Sequence, residues 1–131
     1  MSVSSQLSLG WGYVNCTTDS LYAKEFEELL SEDVKLEHET NNEAPVKAEG
    51  REEVVELFQK YIFSNSSHIE VKKANILYKD GLVEVKLTVV EDKTEGEKVT
   101  RYKFKEKTLL EVNDGVITNI FTTVKRRLAT S

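Results

Sequence analysis

The stretch GREEVVELFQKYI, residues 50–62, decides the fold because it is the clearest helix in the sequence and stands between strand-like segments. Gly50 occupies the capping position, and Glu52 and Glu53 lie near the helix start, where the positive end of the helix dipole stabilises negative charge. The apolar residues recur at helical spacing, which predicts one buried stripe. That stripe consists of Val54, Leu57, Phe58, Tyr61 and Ile62.

The chain after this helix predicts four long antiparallel strands. The pair Asp80-Gly81 and the triplet at 113–115 separate alternating apolar runs, as is typical of tight β-hairpins. In the run from His68 the apolar positions change phase at Lys72-Lys73, which indicates a β-bulge.

The last run, residues 116–128, is apolar on both faces. Its pattern places Ile117 and Phe121 on one face and Val116, Ile120 and Val124 on the other. A strand of this kind is usually covered on both faces, within the fold or by a partner.

The chain before the helix predicts two further helices and one strand. Leu7, Trp11 and Val14 share one face of a first helix, and a second begins at a cap on Asp19. In residues 34–39 the two faces alternate with period two, which predicts a strand. The ten residues from Thr40 to Glu49 are interpreted as a loop. Helices segregated from an antiparallel sheet define an α+β fold, with about three helices packed on one face of a curved sheet. At 131 residues, one domain spanning 1–131 is expected.

Composition narrows the classes of function. The net charge of -5 argues against nucleic-acid binding, so the basic triplet at 125–127 is interpreted as a solvated chain end. No apolar run is long enough to span a membrane and no leader pattern is present, so we expect no membrane partner. A single cysteine, Cys16, suits a reducing compartment, and a cytoplasmic location is predicted. Two histidines without metal-ligand spacing, and no phosphate-cradling glycine loop, predict no metal and no cofactor.

Three segments together resemble the nuclear transport factor 2-like superfamily, which includes ketosteroid isomerases and SnoaL-like polyketide cyclases. They are FEELLSEDVKLEHE at 26–39, GREEVVELFQKYI at 50–62 and LLEVNDGVITNIFTTV at 109–124. The likeness extends from about Leu7 to Val124 and depends on the order and spacing of the segments. It implies a cone-shaped fold whose sheet curls round a pocket, and a homodimer formed through the sheet. It implies no single function, since the superfamily contains both enzymes and non-catalytic binders.

His38 is the first candidate catalytic residue. Alternation points it to the core side with Val34 and Leu36. The resemblance aligns EDVKLEH with the DD-x-x-V-E-D stretch in which ketosteroid isomerases carry their catalytic aspartate, and so implies that His38 acts as the base. A histidine can remove a proton near neutral pH. The alternative is a histidine at the pocket rim that is hydrogen-bonded to a neighbour.

Glu106 and Tyr13 are the other catalytic candidates. Strict alternation buries Glu106, which would raise its pKa, whereas a bulge near Lys105 would turn it towards solvent. The second acid of the isomerases falls near Thr108, which cannot replace it, and this departure speaks against an isomerase. The resemblance implies a phenol donor from the first helix, where Tyr13 and Trp11 both lie near the required place.

Two functions therefore remain open. In the first, the helices and the inner sheet face enclose an apolar pocket for a small apolar molecule, with proton-transfer, isomerisation or cyclisation chemistry. In the second, the domain is a non-catalytic interaction module that pairs through the outer sheet face around Ile117 and Phe121. A solvent-connected cavity reaching His38 favours the first, and a filled core favours the second. The candidate pocket residues are Trp11, Tyr22, Phe26, Phe58, Tyr61, Ile62, Tyr102, Phe104 and Thr108.

Overall fold

The computed structural model describes residues 3–18, 23–41, 43–61 and 66–129. Over these residues the helices are α1 (Val3–Thr18), α2 (Ala23–Leu29) and α3 (Arg51–Tyr61). The strands are β1 (Leu30–Thr40), β2 (Val46–Glu49), β3 (Ser66–Lys79), β4 (Leu82–Glu95), β5 (Lys98–Asn113) and β6 (Val116–Leu128). They form one sheet in the order β2-β1-β6-β5-β4-β3. All neighbouring pairs are antiparallel except β1 and β6. The curved, unclosed sheet with its three helices confirms the predicted α+β cone fold.

Helix α3 forms as predicted from its apolar stripe. Gly50 precedes it with a φ of 92°, which favours glycine, and accepts a hydrogen bond from the amide of Val54 at 3.0 Å. The amide of Gly50 itself donates to the carbonyl of Val34 at 2.7 Å, which fixes the start of the helix to β1. Val54 and Phe58 are buried, so the helix covers the inner face of the sheet.

The predicted hairpins are confirmed at both turns. Asp80 and Gly81 have φ values of 54° and 81°, and Asp114 and Gly115 have values of 52° and 83°. Two consecutive positive φ values define the type I′ turn, whose twist matches that of the flanking strands.

The segment before α3 corrects the predicted loop at 40–49. Residues 46–49 form β2, which pairs with β1 so that His38 faces Val46 and Leu36 faces Ala48. A four-residue strand gives too short an alternation to be distinguished in the sequence. Pro45 lies directly before this edge strand, where the missing backbone amide removes no hydrogen bond of the sheet.

Two of the register shifts in the described part of the sheet determine which residues face inward. The predicted bulge in β3 is confirmed by a register shift between Val71 and Lys73. A second shift, opposite Glu111, makes Thr118 an extra residue in β6. Ile117 is therefore completely buried, and the prediction that it shares the outer face with Phe121 was wrong. Phe121 alone of these two lies outside, with 43% of its surface exposed.

The orientation of α1 differs from the predicted one. Of the predicted face, Val14 is buried and Leu7 is half-buried, but Trp11 is 49% exposed, so its prediction as a pocket residue on that face was wrong. A Cβ atom on Gly10 would lie 2.8 Å from side-chain atoms of both Ile76 and Val83. The glycine side of the helix is thus the side that can approach the sheet closely, and it turns Trp11 away.

Candidate functional site

A polar row crosses the inner face of the sheet. The register places His38 of β1 beside Thr122 of β6, and Thr122 opposite Thr108 of β5. Neighbouring strands lie about 4.8 Å apart, so these residues form a continuous band between apolar rows. Both threonines are buried.

Hydroxyl groups extend this row into a hydrogen-bonded chain. Thr108 Oγ1 donates to Glu106 Oε2 at 2.9 Å, and lies 3.0 Å from Thr122 Oγ1. Tyr13 OH lies 3.5 Å from the same Thr122 oxygen. Each hydroxyl carries one proton. Because Thr108 gives its proton to Glu106, Thr122 donates to Thr108 and Tyr13 donates to Thr122. The chain is therefore directed towards the carboxyl group.

Glu106 faces the interior. The β4–β5 register runs without a shift through Lys105 and Glu106, so the bulge that would have turned Glu106 to solvent is absent. Glu106 is buried, and this burial raises the pKa of its carboxyl group to about 7, although the hydrogen bond from Thr108 acts in the opposite direction. At neutral pH both protonation states are populated, which suits an acid or a base.

Tyr13, rather than Trp11, is the aromatic residue of α1 that reaches the interior. It has no exposed surface, and its ring packs edge to face against Phe26 and Phe58 at centroid distances of 6.0 and 6.2 Å. Burial, and next the charge of Glu106, raise the pKa of the Tyr13 phenol. The phenol therefore stays protonated and can act only as a neutral hydrogen-bonding group.

His38 lines an open pocket of about 300 Å³. Its lining residues are Leu36, His38, Thr40, Glu43, Ala44, Val46, Leu57, Phe58 and Arg126. Desolvation lowers the pKa of His38, so its imidazole is neutral at neutral pH. Nδ1 of the ring lies 3.5 Å from Thr40 Oγ1, a long and therefore weak contact.

At the edge of the His38 pocket, here called the mouth, Arg126 and Glu91 form a charged pair that was not predicted. Glu91, on the inner face of β4, is 5% exposed, and its Oε1 accepts a hydrogen bond from Arg126 Nη2 at 3.2 Å. The guanidinium carbon of Arg126 lies 3.9 Å from the centre of the Tyr102 ring. The interpretation of 125–127 as a solvated end was thus wrong for Arg126. Extending the alternation of Ile120 along β6 by period two would have placed Arg126 inward.

The remaining predicted site residues fall into several environments. Phe58 lines the His38 pocket, whereas Phe26 belongs to the core and Phe104 is half-buried. Tyr22, Ile62 and the side chain of Tyr61 lie outside the described part of the chain.

Other chemistries find little support in the described residues. The Cys16 thiol is buried, and desolvation, followed by the charge of Glu25, raises its pKa to about 11, so it is not a thiolate at neutral pH. Within the described ranges no three histidine, cysteine, aspartate or glutamate side chains are grouped as a metal site would require. None of the described helices is long and apolar enough to cross a membrane.

Comparison with known proteins identifies the fold. No family model and no curated protein matches the sequence. Among solved structures, a protein from Shewanella putrefaciens assigned as a SnoaL-like polyketide cyclase is 12% identical with a TM-score of 0.73, over 95% of this chain and 91% of that one. A nuclear transport factor 2-like protein from Burkholderia xenovorans is 15% identical with a TM-score of 0.71, over 95% and 92%.

A third structure, from Kribbella flavida and assigned as a ketosteroid isomerase, is 18% identical with a TM-score of 0.66, over 98% of this chain and 81% of that one. The activities named for these proteins differ, so the likeness carries no particular reaction to this chain. Because the superposition extends over nearly the whole chain in all three cases, this protein has the cone-shaped fold of the nuclear transport factor 2-like proteins.

Proposed function

We propose that the protein binds a small, largely apolar molecule in the His38 pocket and catalyses a proton transfer on it, of the isomerase or cyclase type. The observation that carries the proposal is the open pocket of about 300 Å³, which combines apolar walls with a neutral, half-buried histidine. Small-molecule sites are typically concave and apolar, with a few convergent polar groups.

His38 has the role of the base. Its lowered pKa makes the imidazole a weaker base than an exposed histidine, but keeps it in the neutral, proton-accepting form at neutral pH. It would remove a proton from a carbon next to a carbonyl group. Return of that proton from the imidazolium to another carbon completes an isomerisation without any further reactant.

The buried hydroxyl chain supplies the second half of the proposed chemistry. Removal of the carbon proton places negative charge on the carbonyl oxygen, and such charge is stabilised by fixed hydrogen-bond donors. Thr122 stands beside His38 and is connected through Thr108 to Glu106. We assign the chain to the stabilisation of that charge when Glu106 is protonated. The carboxyl proton is then donated to Thr108 and the direction of the chain reverses, so Thr108 donates to Thr122 and the Thr122 hydroxyl can donate to the charged oxygen.

Hydrogen exchange tests this function before the natural substrate is known. Carbonyl-containing steroids and polyketide-like ketones are screened for compounds that raise the melting temperature, since a ligand of the folded state must do so. Each such compound is then incubated with the protein in D₂O, and NMR follows deuterium entering next to the carbonyl.

The variant His38→Gln should keep the thermal shift and lose exchange by about 10²–10⁴-fold, the usual contribution of a general base. Lys35→Gln, on the exposed side of the same strand, is the matched control and should exchange as the wild type does. Equal exchange rates in His38→Gln and wild type would refute the catalytic role.

A second candidate function is pairing through the outer face of the sheet. Phe121 is exposed there, and its cross-strand neighbour Leu109 is only half-buried. Such a surface would suit a homodimer or another protein. Phe121→Glu should then convert a dimer to a monomer in sedimentation equilibrium, and a wild type that is already monomeric would eliminate the homodimer.

A further inference from the structure

We infer that the ligand of the His38 pocket carries an anionic group, a carboxylate in its simplest form, and that Arg126 binds it at the pocket mouth. The inference rests on the proposed ligand pocket and adds the chemical class of the ligand. Three observations support it: the position of Arg126, its N–H donors that make no hydrogen bond within the described residues, and the charges around it.

Arg126 stands at the right place for an anchor. It lines the same pocket as His38 and lies near the end of β6. Its side chain is 30% exposed, so a ligand can reach it while most of the side chain is already removed from water. A charged hydrogen bond made there is stronger than one made in open solvent.

The guanidinium group is held in place before any ligand arrives. Glu91 binds Nη2 at 3.2 Å, and the Tyr102 ring stacks under the group at 3.9 Å. The backbone amide of Arg126 donates to Asn41 Oδ1 at 2.8 Å, which fixes the strand end. A side chain that is already ordered loses little conformational entropy when it binds a ligand.

The ion pair with Glu91 leaves donors unused. An arginine has five N–H groups, and the bond to Glu91 engages Nη2. Nε of Arg126 is buried and, among the described residues, has no hydrogen-bond partner. A carboxylate accepts two parallel bonds from the planar fork of an arginine, so it would satisfy donors that the protein itself leaves open.

The surroundings of Arg126 are positive, although the whole chain is acidic. A second cleft of about 410 Å³ at the same residue is lined by Lys103, Lys105, Lys125 and Arg127. These four cations face one another across the ladder as Lys103 with Arg127 and Lys105 with Lys125. Like charges placed directly opposite destabilise a sheet, and none of the four is in an ion pair with another described residue. They lie on the outer face of the sheet, and their field favours an anion at this end of β5 and β6. The acidic residue that lines the His38 pocket is Glu43.

The test uses two probes of the same shape, cinnamate and its neutral amide, cinnamamide, with calorimetric titration of the full chain. Wild type should bind cinnamate roughly tenfold or more tightly than the amide, as expected for a charged hydrogen bond. Glu91→Gln removes the competing carboxylate and should tighten cinnamate binding further. Lys107→Gln, at an exposed lysine of β5 that lines neither cleft, is the matched control and should leave the preference nearly unchanged.

Removal of the anchor should abolish the preference for the acid. Arg126→Gln alone removes the cation beside the buried Glu91 carboxylate and can unfold. The preference is therefore measured in the double variant Arg126→Gln/Glu91→Gln, which carries no such buried charge. It should bind both probes equally. Phenyl phosphate is titrated in parallel. If it binds more tightly than cinnamate, the ligand group is a phosphate; if cinnamate binds more tightly, it is a carboxylate.

The outcomes separate this inference from the proposed function. If cinnamamide binds wild type as tightly as cinnamate, the anionic ligand is refuted while the pocket stands. If the double variant keeps the preference for cinnamate, Arg126 is not the anchor. If neither cinnamate, cinnamamide nor phenyl phosphate binds, the pocket proposal fails, and the inference fails with it.

Discussion

The inner face of the sheet carries two buried glutamates whose surroundings differ sharply. Glu106 lies deep in the cone and is bonded to Thr108, the end of a chain of neutral hydroxyls. Glu91 lies at the mouth and is bonded to the guanidinium group of Arg126. A hydroxyl partner leaves the charged form of a buried carboxyl group costly, whereas a cation compensates it. The same residue type thus has a raised pKa in the depth of the fold and forms an ion pair near its edge.

The largest expected effect comes from removing the cation at the mouth. Arg126→Leu removes the cation beside the buried Glu91 carboxylate and should lower the free energy of unfolding by about 3 kcal/mol. This is the lower end for a broken buried pair, because Arg126 is partly exposed. Denaturant titration measures the loss. Adding Glu91→Leu should restore most of it; if the double variant is no more stable than the single one, the pair does not hold the mouth.

The second prediction concerns pH and the deep carboxyl group. The pKa of Glu106 is raised from 4.5 to about 7 in the folded protein. Below pH 4.5 Glu106 is protonated in both the folded and the unfolded protein. Between pH 4.5 and about 7 the unfolded protein loses this proton while the folded protein keeps it, so the free energy of unfolding falls as the pH rises. The loss is roughly 3 kcal/mol from this group.

Glu106→Gln isolates this contribution, since glutamine has nearly the same shape and does not titrate. Relative to wild type, the variant should gain roughly 3 kcal/mol in free energy of unfolding between pH 4 and pH 8. Chemical denaturation at several pH values measures the difference. A constant difference across this range would mean that Glu106 titrates as an exposed glutamate does.

A third and smaller effect is expected within the hydroxyl chain. Thr108→Val removes the donor to Glu106 and the acceptor of Thr122, and should cost about 1–3 kcal/mol at low pH. Because the hydrogen bond from Thr108 lowers the pKa of Glu106, the same variant should raise that pKa above about 7. Thr123→Val, on the other face of the sheet, is the matched control and should stay within about 0.5 kcal/mol of wild type.

The smallest effect is expected from Tyr13, the hydroxyl group farthest from Glu106 in the hydrogen-bonded row. Tyr13→Phe removes a hydroxyl 3.5 Å from Thr122 and keeps the ring packing, so a loss below about 1 kcal/mol is expected in thermal or denaturant unfolding. A loss as large as that of Thr108→Val would show that the phenol is a full member of the chain.

Features with a local cause were predictable from the sequence. The Asp-Gly turns depend on residues that adopt positive φ, and the bulge at Val71 leaves a visible phase change between apolar positions. Helix α3 was predicted from the helical spacing of its own apolar residues. Even the inward position of Glu106 followed from alternation alone as one of two alternatives.

Features with a distant cause were not predictable. The extra residue Thr118 is hidden because apolar residues occupy both faces of β6. The rotation of α1 depends on how closely Gly10 approaches Ile76, which lies far along the chain. Arg126 is one of three adjacent cations; the alternation of β6 gives its inward side, but its pairing with Glu91, on another strand, is not visible in the sequence.

The contrast between the two glutamates can be measured directly at Glu106. Carbon-13 NMR of the side-chain carboxyl groups, with the Glu106 signal assigned by its loss in Glu106→Gln, gives the titration midpoint of this group in the folded protein. A midpoint near pH 7 that moves upward in Thr108→Val is expected if a buried, hydroxyl-bonded carboxyl group lies at the inner end of the site. A midpoint near 4.5, unchanged in Thr108→Val, would contradict it and remove Glu106 from the proposed chemistry.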